Sequence, residues 1–229
     1  MDKKFLLFDL DHTLMDFDQA EEVALTDLLI ECQIADIEVY KDYYKPMNQA
    51  MWKSLELKQI TKPELVNTRF AKLFNYFGKE VDGIYMAERY QAHLKNQGQT
   101  YPGATQLLAD IKAEGYSLYA ATNGITKIQE GRLAHSDIET YFDKIFISEQ
   151  SGSQKPDPAF YEWIAEQIPG FDSTKALMIG DSLTADIQGG NNAGIETVWY
   201  NPHGLENHSK SVPDYIIANY EQLKELLFE

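Results

Sequence analysis

Two carboxylates, Asp9 and Asp11, stand two residues apart directly after the apolar run at 5–8. Because successive side chains of a strand alternate between its faces, positions 9 and 11 begin on the same side of the chain. Like charges at the end of a buried segment are costly, and a chain tolerates them when a cation or a reaction needs them. An isolated Asp-x-Asp is more often an ordinary turn after a strand. Other residues of the chain therefore have to show whether this pair is functional.

Three further polar clusters contain groups that suit the same chemistry, which is phosphoryl transfer. They are Thr122-Asn123, Lys155-Pro156 and Gly180-Asp181. A carboxylate such as Asp9 can attack phosphorus and form an aspartyl-phosphate, while Asp11 protonates the leaving oxygen and later activates water. Thr122 and the amides after it can donate to phosphoryl oxygens, and Lys155 can neutralise charge.

A carboxylate that approaches a phosphate is repelled by it, and a hard divalent cation would offset this repulsion. Mg²⁺ suits a site with few carboxylates plus substrate oxygens. We expect Asp9, Asp181 and the backbone carbonyl of Asp11 to hold this cation. Each cluster alone also fits a turn or a solvated loop, but their joint occurrence in this order is a very improbable coincidence.

The elements that must position these clusters alternate between strands and helices. Apolar runs predict strands at 4–9, 117–121, 144–148, 176–179 and 196–199, with a sixth candidate at 214–217. Helical patterns are found at 104–114, 125–136, 158–168, 184–193 and 220–228. Alternation of this kind predicts an α/β fold with a parallel sheet, in which ligands bind beyond the carboxyl ends of the strands. Each polar cluster follows a predicted strand and therefore falls at this edge.

One long segment breaks the alternation. Residues 16–99 contain amphipathic helical patterns at 19–33, 37–57, 62–77 and 82–96, with Thr61 as a helix cap, and no convincing strand. The segment is too long for a single crossover, so we predict an inserted helical domain at 16–99 and a core formed by 1–15 and 100–229.

The composition narrows the class of protein. The chain has 229 residues, 44% of them hydrophobic, and a formal net charge of -16. Such an acidic surface disfavours nucleic-acid polymers and anionic membranes as partners, but it leaves a small phosphorylated metabolite possible as substrate. The single cysteine excludes an intrachain disulfide, and no apolar stretch reaches membrane-spanning length. We therefore expect a soluble cytoplasmic protein, of open oligomeric state.

Four segments together resemble the signature motifs of the haloacid dehalogenase superfamily. They are Asp9-Leu10-Asp11-His12-Thr13, Thr122-Asn123, Lys155-Pro156 and Gly180-Asp181-Ser182-Leu183-Thr184-Ala185-Asp186. The resemblance implies a Rossmann-like parallel-sheet core with a helical cap inserted after the first motif. It also implies Asp9 as nucleophile, Asp11 as acid/base and Asp181 as Mg²⁺ ligand, with Asp186 supporting the metal site or Lys155. His12 replaces a glycine frequent in the family and has no assigned role.

Within this superfamily, the acid at position 11 favours a phosphatase over a dehalogenase, since an ester leaving group needs a proton and a halide does not. Segments 48–52, 68–70 and 190–201 are similar to the pyrimidine 5'-nucleotidase branch. We therefore expect a nucleoside 5'-monophosphate phosphatase. A phosphatase of the sialic-acid-9-phosphate type, a phosphomutase and a phosphate sensor without catalytic activity stay open as alternatives.

The substrate-binding candidates lie in both predicted domains. In the core they are Thr122, Asn123 and Lys155, and in the helical segment Trp52 and Arg69. Trp52 could offer a flat surface to a base. Aromatic residues at helical spacing usually pack within a core, however, and Arg69 equally fits an ion-paired helix position.

Overall fold

The computed structural model describes residues 2–228, which contain one six-stranded sheet. Its strands are β1 (Phe5–Phe8), β2 (Ser117–Thr122), β3 (Lys144–Ile147), β4 (Ala176–Gly180), β5 (Glu196–Tyr200) and β6 (Tyr215–Ile217). The strand order is β3-β2-β1-β4-β5-β6, and all neighbouring strands run parallel. The predicted α/β fold is confirmed, and the sixth candidate segment forms the edge strand β6.

Residues 2–228 contain ten α-helices. They are α1 (Phe17–Glu31), α2 (Ile37–Glu56), α3 (Lys62–Tyr76), α4 (Gly83–Leu94), α5 (Ala104–Ala113), α6 (Thr126–Ala134), α7 (Ser148–Ser151), α8 (Pro158–Gln167), α9 (Gln188–Ala193) and α10 (Tyr220–Phe228). The helix predicted at 184–193 begins with a wider turn at Leu183–Ile187 before α9. Thr61 caps α3 as predicted, because its hydroxyl accepts a hydrogen bond from the backbone N–H of Glu64.

Both faces of the sheet are covered by helices, which explains the continuous apolar runs in its strands. On one face Leu6 and Phe8 of β1 pack in a cluster that includes side chains of α5 and α10. On the other face Phe5 and Leu7 pack in a cluster with Phe160, which belongs to α8. β1 is thus buried at the centre of the sheet, and the residues after it emerge from the core.

The chain divides into two compact units, one formed by Met1–Phe17 and Gly98–Glu229 and the other by Asp18–Gln97. The first unit contains the sheet, and the second contains most of α1 together with α2, α3 and α4. Within the first unit, the segments that leave for and return from the second unit pair with each other. Asp16 donates its backbone N–H to Gln99 at 3.0 Å, and Tyr101 donates to Leu14 at 2.9 Å.

Candidate active site

The first candidate residues lie at the carboxyl ends of three neighbouring strands. Phe8 is in register with Ala120 of β2 on one side and with Ile179 of β4 on the other. Asp9 therefore leaves the sheet between the ends of these two strands, where Thr122 and Asp181 also lie. The parallel arrangement thus accounts for how residues far apart in sequence meet at one edge.

Three carboxylates form a compact cluster at this edge. One oxygen each from Asp9, Asp181 and Asp186 lies within 4.8 Å of the others. Asp9 and Asp186 are buried, whereas Asp181 is partly exposed. Oxygen ligands from several carboxylates are the donor set of hard divalent cations, so this cluster could hold such an ion.

Lys155 supplies positive charge to the same cluster from a position that is 1% exposed. Its ammonium group donates to Asp9 Oδ1, to Asp186 Oδ1 and to the backbone carbonyl of Ala121, each at 2.6 Å. These three hydrogen bonds use all three N–H groups of the ammonium. In this structure Lys155 therefore acts on the carboxylate of Asp9 and has no N–H left over for a substrate oxygen.

The charge of this cluster is unbalanced, since one lysine faces three acids. Burial raises the pKa of Asp9, and Lys155 only partly offsets this effect. Burial, together with neighbouring Asp186, also raises the pKa of Asp181. Although burial lowers the pKa of Lys155, the attraction of Asp186 and Asp9 outweighs it and raises that pKa above its usual value. The cluster therefore favours a bound proton or a cation.

Local backbone structure holds the lysine and the third acid in place. The side-chain amide of Asn123 donates to the backbone carbonyl of Lys155 and accepts from its N–H, both at 2.8 Å. Asp186 Oδ2 accepts from the backbone N–H of Ser182 at 2.9 Å. A Cβ atom at Gly180 would lie 2.2 Å from Asp186 Oδ2, so only glycine leaves room for this carboxylate.

Asp11, the proposed proton donor, has different partners from the acid cluster. Its Oδ1 forms an ion pair with Arg132, and its Oδ2 accepts from Gln129 Nε2 at 3.0 Å. Both partners belong to α6 and are almost completely buried. Sequence reasoning missed them; the available signal was two polar residues three apart on the helix that follows Thr122-Asn123-Gly124.

His12 has a left-handed backbone conformation, with φ at 62°. Glycine adopts this conformation without steric cost, which gives a physical reason for the glycine that is frequent at the corresponding place in the family. The imidazole ring packs edge-on against Phe17, with 5.4 Å between ring centroids. This contact gives the His12 side chain a packing role within the first motif.

Trp52 and Arg69 lie in the helical unit. Trp52 is partly buried and packs against the apolar cluster that contains Met51 and Leu55. Arg69 is buried and lies over the rings of Phe70 and Tyr90, at 5.2 and 5.0 Å. Both placements agree with packing inside this unit, and the substrate contacts expected of the two residues, like that of Asn123, stay predictions.

A buried polar network links three helices of this unit. Asn48 donates to Glu21 Oε1 at 2.8 Å and accepts from Arg69 at 3.3 Å, so it stands between opposite charges. Burial raises the pKa of Glu21, although Asn48 and Arg69 partly offset this effect. Asn48 therefore satisfies two charged groups that are otherwise poorly solvated.

Replacing Asn48 by alanine is expected to lower the free energy of unfolding by about 3 kcal/mol, because it leaves a buried carboxylate and a buried guanidinium each without a hydrogen-bond partner. Urea unfolding followed by circular dichroism measures the loss. Gln49→Ala, at the exposed neighbouring position, should change stability by less than about 0.5 kcal/mol. Equal losses in the two variants would contradict a stabilising role for the network.

Within residues 2–228, no helix is long and apolar enough to cross a membrane.

Comparison with known proteins places this chain in a family. Residues 6–200 match the model of the haloacid dehalogenase-like hydrolases. The chain is 63% identical to pyrimidine 5'-nucleotidase PynA of Streptococcus pneumoniae, over 98% of this chain and 94% of that protein. It is 29% identical to pyrimidine 5'-nucleotidase YjjG of Escherichia coli, over 97% of each chain.

A solved structure gives the same result. The crystal structure of HAD-hydrolase YfnB from Bacillus subtilis, which was determined bound to magnesium, superposes with a TM-score of 0.94. It is 38% identical in sequence, and the match covers 98% of both chains. The resemblance that the four motifs predicted is confirmed, and the chain belongs to the haloacid dehalogenase-like hydrolase family.

Proposed function

We propose that this protein is a phosphomonoester hydrolase that works through an aspartyl-phosphate on Asp9. The observation that carries the proposal is the pairing of Asp9 with the buried ammonium of Lys155, at 2.6 Å, beside two further carboxylates. The contact with Lys155 orients the Asp9 carboxylate and stabilises its ionised form. An oriented, ionised carboxylate at a strand end is the nucleophile that this reaction requires.

In the first step, an oxygen of Asp9 attacks phosphorus and the bond from phosphorus to the ester oxygen breaks. Asp11 enters this step protonated and gives its proton to the leaving oxygen, so that an alcohol departs and the Asp11 carboxylate is left paired with Arg132. In the second step, Asp11 takes a proton from water, which attacks the aspartyl-phosphate and releases phosphate with Asp9 regenerated. The Thr122 hydroxyl stabilises the phosphoryl oxygens by hydrogen bonding.

Mg²⁺ is the cation we propose for the carboxylate cluster, with Asp9 and Asp181 as ligands. Asp186 stands behind them and holds Lys155, with which it shares a 2.6 Å contact. The carboxylate of Asp11 is bound by Gln129 and Arg132 of α6. The Asp11 ligand that we propose for the metal is therefore its backbone carbonyl. Mg²⁺ supplies charge that offsets the repulsion between the Asp9 carboxylate and the phosphate.

Adding MgCl₂ is expected to stabilise the protein, more strongly at pH 8 than at pH 5.5. Burial raises the pKa of Asp9 and Asp181 above their unfolded values, so without metal the folded state binds the extra protons and loses stability as pH rises through this window. A metal must displace these protons, so its affinity rises with pH. At a metal concentration of about 100 times Kd, the gain of about 2.7 kcal/mol corresponds to a Tm rise of roughly 5–10 °C.

Thermal melts with and without MgCl₂ at the two pH values measure this effect. Asp181→Asn should remove most of the Tm rise, whereas Glu166→Gln, an exposed change on α8, should leave it intact. A rise of equal size in Asp181→Asn would show that the cation binds elsewhere, and a larger rise at pH 5.5 would contradict the pKa argument.

We further propose that the substrate is a pyrimidine nucleoside 5'-monophosphate. Similarity to PynA at 63% identity over nearly the whole chain supports this choice, as does the lower similarity to YjjG. The relatives carry the nucleotide assignment, whereas the carboxylate cluster carries the chemistry. The cytoplasmic location expected from the sequence stays a prediction.

Phosphate release from a panel of nucleoside monophosphates and sugar phosphates tests the proposed substrate. Pyrimidine nucleotides should be hydrolysed with kcat/KM at least about tenfold higher than purine nucleotides and sugar phosphates, a margin of about 1.4 kcal/mol in transition-state binding. Higher activity on sugar phosphates would favour the sialic-acid-9-phosphate type of enzyme. NMR of the product mixture tests the mutase alternative. An isomerised sugar phosphate with little free phosphate would show that the enzyme is a mutase and not a hydrolase.

A further inference from the structure

Helix α6 directs two buried polar side chains, Gln129 and Arg132, at groups of the proposed reaction. Gln129 is 1% exposed and Arg132 0% exposed, and their spacing of three residues puts them on one face of the helix. Burying an amide and a guanidinium is costly unless each has partners. Their partners are the acid/base Asp11 and the phosphate-binding residue Thr122.

The amide group of Gln129 joins these two residues. Its Nε2 donates to Asp11 Oδ2 and to Thr122 Oγ1, both at 3.0 Å. Its Oε1 accepts from Arg132 at 3.2 Å. A primary amide has two N–H groups, and Gln129 uses one for each of these acceptors. The Gln129 side chain therefore sets the distance between the Asp11 carboxylate and the Thr122 hydroxyl.

The hydrogen bonds at Thr122 determine what its hydroxyl can offer to a substrate. Oγ1 accepts from Gln129 and also from the backbone N–H of Gly124, at 3.1 Å. A hydroxyl has two lone pairs and one hydrogen, so two accepted bonds leave the hydrogen to donate. Gln129 therefore helps to make Thr122 a donor, which is the role that a phosphoryl oxygen requires.

The carboxylate of Asp11 is oriented from both sides. Arg132 binds one oxygen and Gln129 binds the other, so rotation of the carboxylate would break a charged contact. The guanidinium of Arg132 is itself packed over the ring of Phe17, with 5.4 Å from Cζ to the ring centroid. Asp11 thus has a defined direction without help from the acid cluster.

Gly124 provides the space in which Gln129 lies. A Cβ atom at position 124 would approach Gln129 Cγ to 2.4 Å and Cδ to 2.6 Å. An alanine at this position would therefore displace the Gln129 side chain without changing any charge. The glycine of Thr122-Asn123-Gly124 serves the bridge as well as the turn.

We propose that Gln129 and Arg132 are positioning residues of phosphoryl transfer, which hold the acid/base Asp11 and the donor Thr122 in one rigid arrangement. The proposal rests on the proposed function, because it assigns these residues to the proton-transfer step of that reaction. It predicts a defect that depends on how much the leaving group needs a proton.

Two substrates separate this role from a merely structural one. A nucleoside 5'-monophosphate releases an alcohol, which needs a proton from Asp11, whereas p-nitrophenyl phosphate releases a stable phenolate that leaves without one. The quantity to measure is kcat/KM, since it reports the steps through formation of the phosphoenzyme. The nucleotide is the best substrate of the panel described above.

Gln129→Met and Arg132→Lys are expected to lower kcat/KM for the nucleotide about 100-fold, and that for p-nitrophenyl phosphate less than about tenfold. Gly124→Ala should produce the same large loss for the nucleotide and small loss for p-nitrophenyl phosphate. Because this variant keeps every charge, it also tests the proposal if the Arg132 variant folds poorly. Ile128→Met, a buried change on the same helix, should leave the ratio of the two values within about twofold of wild type.

Equal losses on both substrates in Gln129→Met and Gly124→Ala, or no loss on either, would overturn the positioning role. Asp11→Asn tests the proposed function separately. It removes the acid/base itself, so it should also lower kcat/KM for the nucleotide more than that for p-nitrophenyl phosphate. If Asp11→Asn shifts the ratio and the α6 variants do not, the bridge is refuted and the hydrolase mechanism stands. If Asp9→Asn keeps full activity, the mechanism itself fails.

Discussion

Asp9→Asn is expected to lower kcat/KM for phosphate release by at least about 10⁴-fold, because an amide cannot attack phosphorus and cannot form the aspartyl-phosphate. The loss should be equally severe for nucleotides and for p-nitrophenyl phosphate, since both need the nucleophile. The substitution has nearly the same size and removes one negative charge from a cluster of three, so the folded protein should persist. Lys155 keeps its contacts with Asp186 and Ala121 in the variant.

Colorimetric phosphate release and a thermal melt of the same preparation check this result. Glu166→Gln makes the same chemical change at an exposed position on α8 and should keep wild-type activity. Wild-type rates in Asp9→Asn, together with full activity in excess EDTA, would rule out both the nucleophile and the cation site. A trapped phosphoenzyme in the wild type and none in Asp9→Asn would support the proposal directly.

Lys155→Met has the second largest expected effect, with a loss of about 10³-fold in kcat/KM and of about 3 kcal/mol in stability without divalent cations. The ammonium group makes three buried hydrogen bonds, two of them to carboxylates. Removing one partner of a buried ion pair leaves uncompensated charge. The nucleophile also loses the contact that orients it, which accounts for the loss of rate.

The stability loss of Lys155→Met should depend on pH. Burial raises the pKa of Asp9, and Lys155 lowers it, so removal of the lysine raises this pKa further. At pH 8 the variant must keep the unpaired carboxylate charged or take up a proton at a cost, whereas at pH 5 the proton is readily available. The loss should therefore be larger at pH 8 than at pH 5.

Urea unfolding in EDTA at the two pH values measures the difference. Lys175→Met, at an exposed position directly before β4, serves as the matched control and should change stability by less than about 0.5 kcal/mol at either pH. A loss of the same size at pH 5 and pH 8 would show that Lys155 stabilises the fold by packing alone, without balancing the charge of Asp9.

The sheet and the carboxylate cluster follow from features that are local in the sequence. Continuous apolar runs mark buried strands, and parallel strands bring the residues after them to a common edge. For this reason Asp9, Thr122 and Asp181 could be placed together, although more than 50 residues separate each from the next. The helical insertion could be recognised for a related reason, since its 3.6-residue pattern interrupts the alternation of strands and helices.

The partners of Asp11 could not be predicted, because burial of a polar side chain depends on what packs around it. Gln129 and Arg132 look like ordinary exposed residues of a helix, and most residues of these types are exposed. Only the folded chain shows that α6 turns both of them inward. The three hydrogen bonds of the Lys155 ammonium could likewise not be predicted, since a lysine in a loop usually keeps its ammonium in water.

The backbone pairing of 14–16 with 99–101 bears on how freely the helical unit can vary. The two linker segments are hydrogen-bonded to each other inside the sheet-bearing unit, so the ends of the insertion are already close together. For a flexible loop, doubling the length between fixed ends costs only about 0.6 kcal/mol in closure entropy. The length of the inserted segment therefore has little effect on the entropy cost of closing this connection, because the sheet-bearing unit holds its two ends next to each other.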